Sequence, residues 1–377
     1  MKNQKIRWVG TLAVLVLWGA LTVLCWFGPR QEVSLAERRP LAQFPQITGQ
    51  SVLGGKFMTD FEKFSLDQFP LRDSFRGIKA LFHAGVLRQK DSNGIYLADG
   101  YAAKLEYPLN ETSLSYAVGR FNRVYEMYLK DSGGKVYAAI VPDKGLYLAQ
   151  ENGYPVLDYA AMEKTLEAGM PWASFMNLTD TLSIADYYRT DTHWRQENLF
   201  AAAEVICNAM GTGAFSPEEL TPVRMEQPFY GVYYGQAALP MDPDELYLLE
   251  GDGLDQCVTL VGELDKNGQG YYRPLYQGVY DLAKLEGDDL YETYLSGSLS
   301  LLRIENPNAS GDRELVIFRD SFGSAMAPLL VKDYAAVTLV DIRYLRPEML
   351  SRFEMNWDGD ILFLYSTLVL NNSTTLQ

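Results

Sequence analysis

The C-terminal part of the sequence alternates between short apolar runs and helical patterns, and this alternation constrains the fold more than any other feature. Strands are predicted at 314–318, 336–340 and 361–365, with helices between them at 322–332 and 347–355. Strands that are joined by short links through helices form a parallel sheet with right-handed crossovers. Because ligands of such sheets bind where the strands end, we expect a functional site in the loops after residues 318 and 340, and after the apolar run 136–141.

Ser321 is the candidate nucleophile, because it follows the 314–318 strand and opens the next helix. The backbone N–H groups of Ser321 and Phe322 at the helix start could hold an oxyanion. A serine alone is a poor nucleophile and needs a base. The letters Arg-Asp-Ser-Phe also occur at 72–75, where no strand precedes them and a helix cap is predicted. Context, rather than the motif, favours Ser321 as nucleophile over a simple cap or turn residue.

A candidate base lies in the segment Asp191-Thr192-His193-Trp194. A catalytic imidazole needs a partner, usually a carboxylate, that holds it in one tautomer. The spacing of two residues in an extended loop can place Asp191 beside His193, and Trp194 could shield the site from water. The alternative is a polar loop with a chance histidine. The other histidine, His83, falls in an amphipathic helix pattern and is interpreted as structural.

Four further side chains are predicted to bind substrate together with Trp194. Arg189 immediately precedes the Asp191 segment, and Lys144 follows the apolar run 136–141. Arg343 and Tyr344 follow the strand at 336–340. The alternative for each of them is a solvated loop position.

Composition excludes several other functions. The net charge of −15 repels phosphate backbones, so we expect no nucleic-acid binding. Two histidines are too few for a multi-histidine metal site, and no metal is expected. A Gly-x-Gly-x-x-Gly loop and a Walker loop are missing from the sequence, so no soluble cofactor is predicted. Cys207 and Cys257 could pair or be small buried residues, but they do not make a disulfide scaffold.

Residues 8–27 are an uncharged apolar run that is long enough, as a helix, to cross a membrane. Basic residues within 1–7 predict that this tail stays in the cytoplasm and that the rest of the chain lies outside the cell membrane. The run is longer than the apolar core of a signal peptide and ends without a small-x-small cleavage site. An uncleaved single-pass anchor is therefore favoured over a cleaved signal peptide or a lipoprotein signal.

The remaining chain divides into two predicted parts. Residues 28–90 are a stalk followed by two amphipathic helices, which are separated at Pro70 and pack on the domain or near the membrane. Residues 91–377 form the main domain. It contains a Tyr/Gly-rich segment at about 212–300, which is predicted to be an insertion with a strand-like piece at 230–234. Its aromatic side chains could face a glycan or simply pack.

The segments Tyr187–Trp194 and Phe318–Gly323 resemble the AlgX/AlgJ-like SGNH-hydrolase-like superfamily, and most closely the membrane-anchored DHHW proteins of Gram-positive bacteria. The resemblance covers most of residues 35–370. It includes the pieces Glu37-Arg38-Arg39-Pro40-Leu41, Asp67-Gln68-Phe69-Pro70, Pro142-Asp143-Lys144 and Asp289-Leu290-Tyr291. It implies an α/β fold, namely an SGNH-hydrolase-like three-layer fold with a parallel central sheet, preceded by one N-terminal transmembrane helix.

Two positions depart from this pattern. Thr192 stands where the DHHW motif has its second histidine. Arg319 stands where many relatives carry glycine, and a side chain there is expected to crowd the turn that carries Ser321.

The resemblance also implies a function, an extracytoplasmic O-acetyltransferase acting on a cell-surface or exopolysaccharide. Asp191, His193 and Ser321 map onto the triad of the alginate members, with a sugar hydroxyl as acceptor. The implied partners are the polysaccharide and a multi-pass membrane acyltransferase as acyl donor. A carbohydrate acetyl esterase with the same triad is one alternative. A non-catalytic glycan-binding or scaffold protein of the envelope is the other.

Overall fold

The computed structural model describes residues 2–377, so residue 1 of the predicted cytoplasmic tail lies outside the described residues. The α-helices are α1 (Lys2–Phe27), α2 (Gly49–Leu53), α3 (Lys56–Asp67), α4 (Arg72–Gly85), α5 (Glu111–Val124), α6 (Gly145–Leu148), α7 (Tyr159–Gly169), α8 (Phe200–Met210), α9 (Val232–Ala237), α10 (Asp252–Asp255), α11 (Phe322–Leu330) and α12 (Thr367–Leu370). A π-helical turn, Tyr125–Leu129, continues α5. The 3-10 helices are Thr179–Thr181, Ile184–Asp186, Gln196–Asn198, Leu282–Glu286, Leu290–Thr293, Pro347–Arg352 and Ser373–Thr375.

The strands are β1 (Val33–Ser34), β2 (Arg39–Pro40), β3 (Asp91–Ser92), β4 (Ile95–Ala98), β5 (Tyr101–Lys104), β6 (Lys135–Val141), β7 (Ser174–Met176), β8 (Thr221–Phe229), β9 (Asp244–Glu250), β10 (Val258–Leu264), β11 (Gly270–Gln277), β12 (Leu301–Glu305), β13 (Glu314–Arg319), β14 (Ala336–Val340) and β15 (Asp360–Ser366). The chain forms two compact units. The first comprises the residues up to Ile95 together with Val232–Met241, and the second comprises Tyr96–Gly231 and Asp242–Gln377.

The first unit contains helices α1 to α4. Within the described residues, α1 is the one helix that is long and apolar enough to cross a membrane, over the span Arg7–Phe27. Helices α3 and α4 lie on either side of Pro70, where the sequence predicts two amphipathic helices. The piece at 230–234, which the sequence presents as strand-like, instead leads into the short helix α9.

An eight-stranded sheet organises the second unit, in the order β11-β10-β12-β14-β13-β15-β6-β7. The neighbours from β14 to β7 are parallel. The observed limits of β6, β13, β14 and β15 differ from the predicted ones by at most one residue. The C-terminal alternation of strands and helices therefore forms the parallel sheet that it predicts, although the piece at 347–355 is a 3-10 helix rather than an α-helix.

Antiparallel strands extend the predicted parallel sheet at one edge, so the whole sheet is mainly parallel. Strand β10 is antiparallel to both of its neighbours, β11 and β12, and β12 is antiparallel to β14. For β10 and β11 the physical reason is the short turn at 265–269, because two strands joined by a few residues can only pair antiparallel. The Tyr/Gly-rich segment predicted as an insertion supplies β10 and β11 to this sheet.

Both faces of the sheet are buried at its centre, in β13, β14 and β15. Alternating side chains of β13 point to opposite sides. Leu315 and Ile317 pack with α8 and α11, whereas Val316 and Phe318 pack with α5 and α7. Full burial of such a side chain contributes about 1.5–3 kcal/mol, so this strand is held firmly from both sides.

The strand register brings the predicted loops to one edge of the sheet. Phe318 pairs with Val340 on β14 and with Phe363 on β15. Val141 at the end of β6 pairs with Ser366 at the end of β15. The loops that follow β6, β13 and β14 therefore leave the sheet at its carboxyl edge, as the sequence predicts for a ligand site.

Candidate active site

Asp191, His193 and Ser321 form a continuous chain of hydrogen bonds at this edge. The Nδ1 atom of His193 is 2.5 Å from Oδ1 of Asp191, and its Nε2 atom is 2.7 Å from Oγ of Ser321. Asp191 is fully buried and also accepts the backbone N–H of His193 at 3.1 Å. A carboxylate on one ring nitrogen and a hydroxyl on the other is the arrangement that lets an imidazole withdraw a proton from the hydroxyl.

The loop that carries Asp191 and His193 is a tight reversal. Tyr187 bridges Trp194 in antiparallel fashion, and Tyr188 N–H donates to the carbonyl of His193 at 3.1 Å. The buried carboxylate of Asp244 accepts the backbone N–H groups of Arg189 and Thr190 at 2.8 and 2.7 Å. Asp244 thus fixes the residues just before Asp191. Sequence reasoning missed it, because it lies some 50 positions downstream on another element.

Gly231 supports the same loop from outside. Its N–H donates to Oγ1 of Thr190 at 2.9 Å. A Cβ atom built on Gly231 would lie 2.3 Å from both Cα and Cβ of Asp191, so that only glycine fits against this backbone. The position of the Asp191 carboxylate therefore depends on having glycine, which has no side chain, at position 231.

Ser321 sits at the start of α11, where the carboxylate of Asp320 controls the turn. Its Oδ1 atom accepts the N–H of Phe322 at 3.0 Å, and its Oδ2 atom accepts the N–H of Ser366 at 2.8 Å. The N–H of Phe322 is thus engaged, and it is not the free oxyanion donor that the sequence predicts, because the neighbouring carboxylate reaches it first. The N–H of Ser321, for which the described residues supply no acceptor, remains the expected donor.

Tyr291 is the site residue that sequence reasoning missed most clearly. Its ring stacks on the imidazole of His193, with centroids 3.7 Å apart and planes 7° from parallel. Its hydroxyl donates to the carbonyl of Ser321 at 3.3 Å. The ring of Phe322 lies 4.9 Å from the imidazole as well. Tyr291 is thereby in contact with both His193 and Ser321, and its only signal in the sequence was its place in the Asp289-Leu290-Tyr291 piece.

Arg319 does not crowd the turn as predicted. Its side chain is fully buried, with Nη1 3.8 Å from Oδ2 of Asp341 and Nη2 close to the carbonyls of Gly297 and Leu299. A Cβ on Gly323 would lie 2.7 Å from Cβ of Arg319. The missing side chain of Gly323 therefore leaves room for Arg319.

Lys144 does not reach a substrate, because it is only 2% exposed. Its Nζ donates to the carbonyls of Tyr188 and Arg189, at 2.9 and 3.3 Å. Burial lowers the pKa of Lys144 to about 7, against the opposing effect of nearby carboxylates, Asp191 first among them. Lys144 therefore fastens the loop that leads to Asp191, and it is not the substrate-binding residue that the sequence predicts.

The stability of the chain should depend on pH through Lys144. The unfolded lysine holds its proton up to about pH 10.5, whereas the folded one loses it near 7. Folding therefore releases a proton between these values, and this group makes stability rise with pH by roughly 1 kcal/mol per unit. We expect Lys144→Met to lose that slope in denaturant unfolding of the detergent-solubilised chain. Lys266→Met, at an exposed turn, is the control and should keep it. Equal slopes in all three chains would contradict the assignment.

The other predicted binding residues lie in different surroundings. Trp194 is fully buried and donates from Nε1 to the carbonyl of Phe322 at 3.0 Å, so it joins the histidine loop to α11 rather than lining an open site. The guanidinium of Arg343 is paired with the carboxylate of Asp341, with Nη2 donating to Oδ2 at 2.6 Å. Tyr344 is half exposed. Arg189 is also half exposed and lines a cavity of about 270 Å³ beside Asp244.

The fold and this geometry define the class of the chain. It is an α/β protein that brings a serine, a histidine and an aspartate together at the carboxyl edge of a mainly parallel sheet. Residues 176–340 match the model of the DHHW protein family. That match confirms the resemblance predicted from the sequence.

Two solved structures of low sequence identity share the fold. A DHHW family protein from Eubacterium siraeum is 19% identical, with a TM-score of 0.59 over 76% of this chain and 95% of that one. Bacillus cereus PatB1, solved with a sulfonyl adduct, is 18% identical, with a TM-score of 0.56 over 73% of this chain and 95% of that one. The O-acetyltransferase domain of Pseudomonas putida AlgJ is less similar, at 13% identity and a TM-score of 0.43, over 74% and 92%. No curated protein is significantly similar in sequence.

Proposed function

We propose that the chain is an extracytoplasmic O-acetyltransferase with an SGNH-like three-layer fold, which transfers acetyl groups to a cell-surface or exopolysaccharide. The observation that carries the proposal is the hydrogen-bonded series Asp191–His193–Ser321, with 2.5 and 2.7 Å between its members. Helix α1, which is long and apolar enough to cross a membrane, would anchor the chain as a single pass with its C-terminal domain outside.

The reaction proceeds in two half-reactions. His193 Nε2 takes the proton of Ser321 Oγ as that oxygen attacks the acetyl carbonyl of the donor. The N–H of Ser321 stabilises the oxyanion, and the imidazolium returns the proton to the departing group. A sugar hydroxyl then gives its proton to Nε2 and attacks the acetyl-serine, which releases the acetylated sugar and restores Ser321. Asp191 holds the Nδ1–H throughout.

The comparisons lend this proposal indirect support. The DHHW family match spans both the Asp191 loop and the Ser321 turn. PatB1 was solved with a sulfonyl adduct, and sulfonyl groups attach to nucleophilic side chains. We propose that Ser321 is the corresponding nucleophile in this chain. The acyl group would come from a multi-pass membrane acyltransferase that shares the bilayer with α1.

An acetyl-ester assay tests the reaction. The detergent-solubilised full chain is incubated with 4-nitrophenyl acetate, with and without a panel of oligosaccharides, and the sugars are analysed by mass spectrometry. Acetylated sugar should form, and ester turnover should rise when a suitable acceptor is present. Ester hydrolysis that no acceptor changes would refute the transferase and leave the esterase with the same triad. A chain with neither reaction, and no labelling of Ser321 by a serine-directed phosphonate, would be a non-catalytic glycan-binding protein.

Tyr291 should control the reactivity of His193. Replacing it by leucine removes the ring that fixes the imidazole plane, and a misplaced catalytic group can cost about 10²-fold in rate. We expect Tyr291→Leu to lose about tenfold or more in kcat/KM for the acetyl ester. Tyr291→Phe keeps the stacked ring and loses only the hydroxyl contact to Ser321, so it should retain most of the activity. An equal loss in both variants would show that the hydroxyl, and not the ring, matters.

A further inference from the structure

Helix α4 carries a row of large apolar side chains that the first unit leaves uncovered. They are Leu71, immediately before the helix, and Phe75, Ile78 and Phe82 within it; the last three recur at spacings of three and four and so share one side of the helix. They are 72, 46, 64 and 51% exposed, respectively. Scattered exposed apolar residues are normal, whereas a continuous row of this kind marks a contact surface. We call this row the apolar face of α4.

The opposite side of α4 is fixed to the rest of the first unit by polar contacts. Nη2 of Arg76 donates to the carbonyls of Gly235 and Gln236, at 3.0 and 3.1 Å. Arg72 pairs with Glu37 at 2.5 Å, and Ala80 is buried. The helix is thus held by its polar side and turned so that its apolar face points outward. That orientation is the reverse of an amphipathic helix on a soluble core.

The apolar face begins close to the end of α1. Sγ of Cys25 donates to the carbonyl of Ser65, and the rings of Trp26 and Phe61 lie 5.5 Å apart, so the last turn of α1 packs on α3. Just beyond, Gln68 Nε2 donates to the carbonyl of Gln31 at 2.8 Å and its Oε1 accepts the N–H of Gln31 at 3.0 Å. Helix α4 starts four residues after Gln68, which makes this pair of hydrogen bonds. Its position is therefore tied to the level at which α1 would leave a membrane.

The charges of α4 suit the same location. Arg72 and Arg76 of α4 are paired with Glu37 and mostly buried, so its third cationic side chain, Lys79, is the one that can meet a headgroup. Lys79 and Arg88, just past the helix, are exposed. Helices that combine one apolar face with a strongly polar, basic side lie in the plane of a membrane surface, where the basic groups meet anionic headgroups.

We infer that α4 is an interfacial helix, which lies on the lipid surface with its apolar face in the bilayer. The partner of this surface is lipid, with anionic headgroups at the basic flank. The inference rests on α1 as the membrane anchor and not on acetyl transfer. The first unit would then hold the chain to the bilayer by two elements, one that crosses it and one that lies along it.

Site-specific labels in the full chain test the inference. The native cysteines are buried, and the unsubstituted chain gives the background. A cysteine is introduced by Phe82→Cys on the apolar face, or by Ala84→Cys, which is exposed and lies about 200° away around the helix. Val16→Cys, in the middle of α1, reports membrane insertion. Each variant is labelled with an environment-sensitive fluorophore and reconstituted into vesicles of phosphatidylcholine and phosphatidylglycerol. Nitroxide-bearing lipid quenches labels in the bilayer, and iodide quenches labels in water.

The label at position 82 should lose most of its emission to the nitroxide lipid and resist iodide, as the label at position 16 does. The label at position 84 should show the opposite pattern. Quenching of the label at 82 by iodide would overturn the inference, because the face would then be in water. Protection from both quenchers would also overturn it, because protein, such as a second copy of the chain, would then cover the face. If nitroxide lipid did not quench the label at position 16, α1 would not be inserted in the bilayer. The inference would then be overturned, because it depends on α1 as the anchor.

Discussion

Replacing Ser321 by alanine should abolish acetyl transfer and lower the turnover of an acetyl ester by about 10³-fold or more, because the proposed acetyl-enzyme forms on its hydroxyl. The fold should survive, since Ser321 Oγ is bonded only to His193 Nε2 among the described residues. The measurement is kcat for the ester at matched protein concentration, together with labelling by a serine-directed phosphonate.

The chain provides an unusual control for this experiment. Ser74 occupies the same place in the other Arg-Asp-Ser-Phe segment, but it lies on the exposed surface of α4. Ser74→Ala should leave turnover and labelling unchanged. If Ser321→Ala kept full activity, the hydrogen-bonded series would be structural, and the envelope scaffold would become the better hypothesis.

Gly231→Ala should impair both stability and activity. Its new methyl group would overlap the backbone of Asp191 at 2.3 Å, where no flexible side chain can give way. Overpacking of this kind costs about 1–3 kcal/mol, and relief requires the Asp191 loop to move away from His193. We expect a lower thermal midpoint and a loss of ester turnover of about tenfold or more, because a displaced catalytic group acts poorly.

Gly119→Ala is the matched control for this substitution. Gly119 lies within α5, and a Cβ there would meet nothing within 4 Å. Alanine in a helix interior is favoured over glycine by up to about 1 kcal/mol, so this variant should be as stable as the original or more so. If Gly231→Ala had the same thermal midpoint and the same ester turnover as Gly119→Ala, the prediction would be wrong. The Asp191 loop would then accommodate the added methyl group without harm.

The parallel strands and the meeting of His193 with Ser321 could be predicted because both depend on local patterns. Apolar runs of strand length separated by helices fix the direction of β13, β14 and β15, and parallel strands deliver their loops to one edge. A serine after one strand and a histidine loop were therefore expected to converge, and their contact at 2.7 Å agrees with that expectation.

The supporting residues could not be predicted, because their roles arise from contacts between distant segments. Asp244, Gly231 and Tyr291 meet the histidine loop only after the chain has folded. Lys144 has the sequence context of a loop residue, yet the fold buries it. The antiparallel edge was missed for the same reason, since β10 and β11 lie in the segment interpreted as an insertion and β10 pairs with β12, which is distant in the sequence.

The location of Tyr291 in the Tyr/Gly-rich stretch limits how that stretch can vary among related proteins. The ring beneath the imidazole belongs to the same Tyr/Gly-rich stretch that carries exposed aromatic side chains such as Tyr271. Shortening this stretch would therefore disturb the imidazole of His193. Changes in its length are thus coupled to the geometry of the candidate active site, and natural variation here should favour substitutions over deletions.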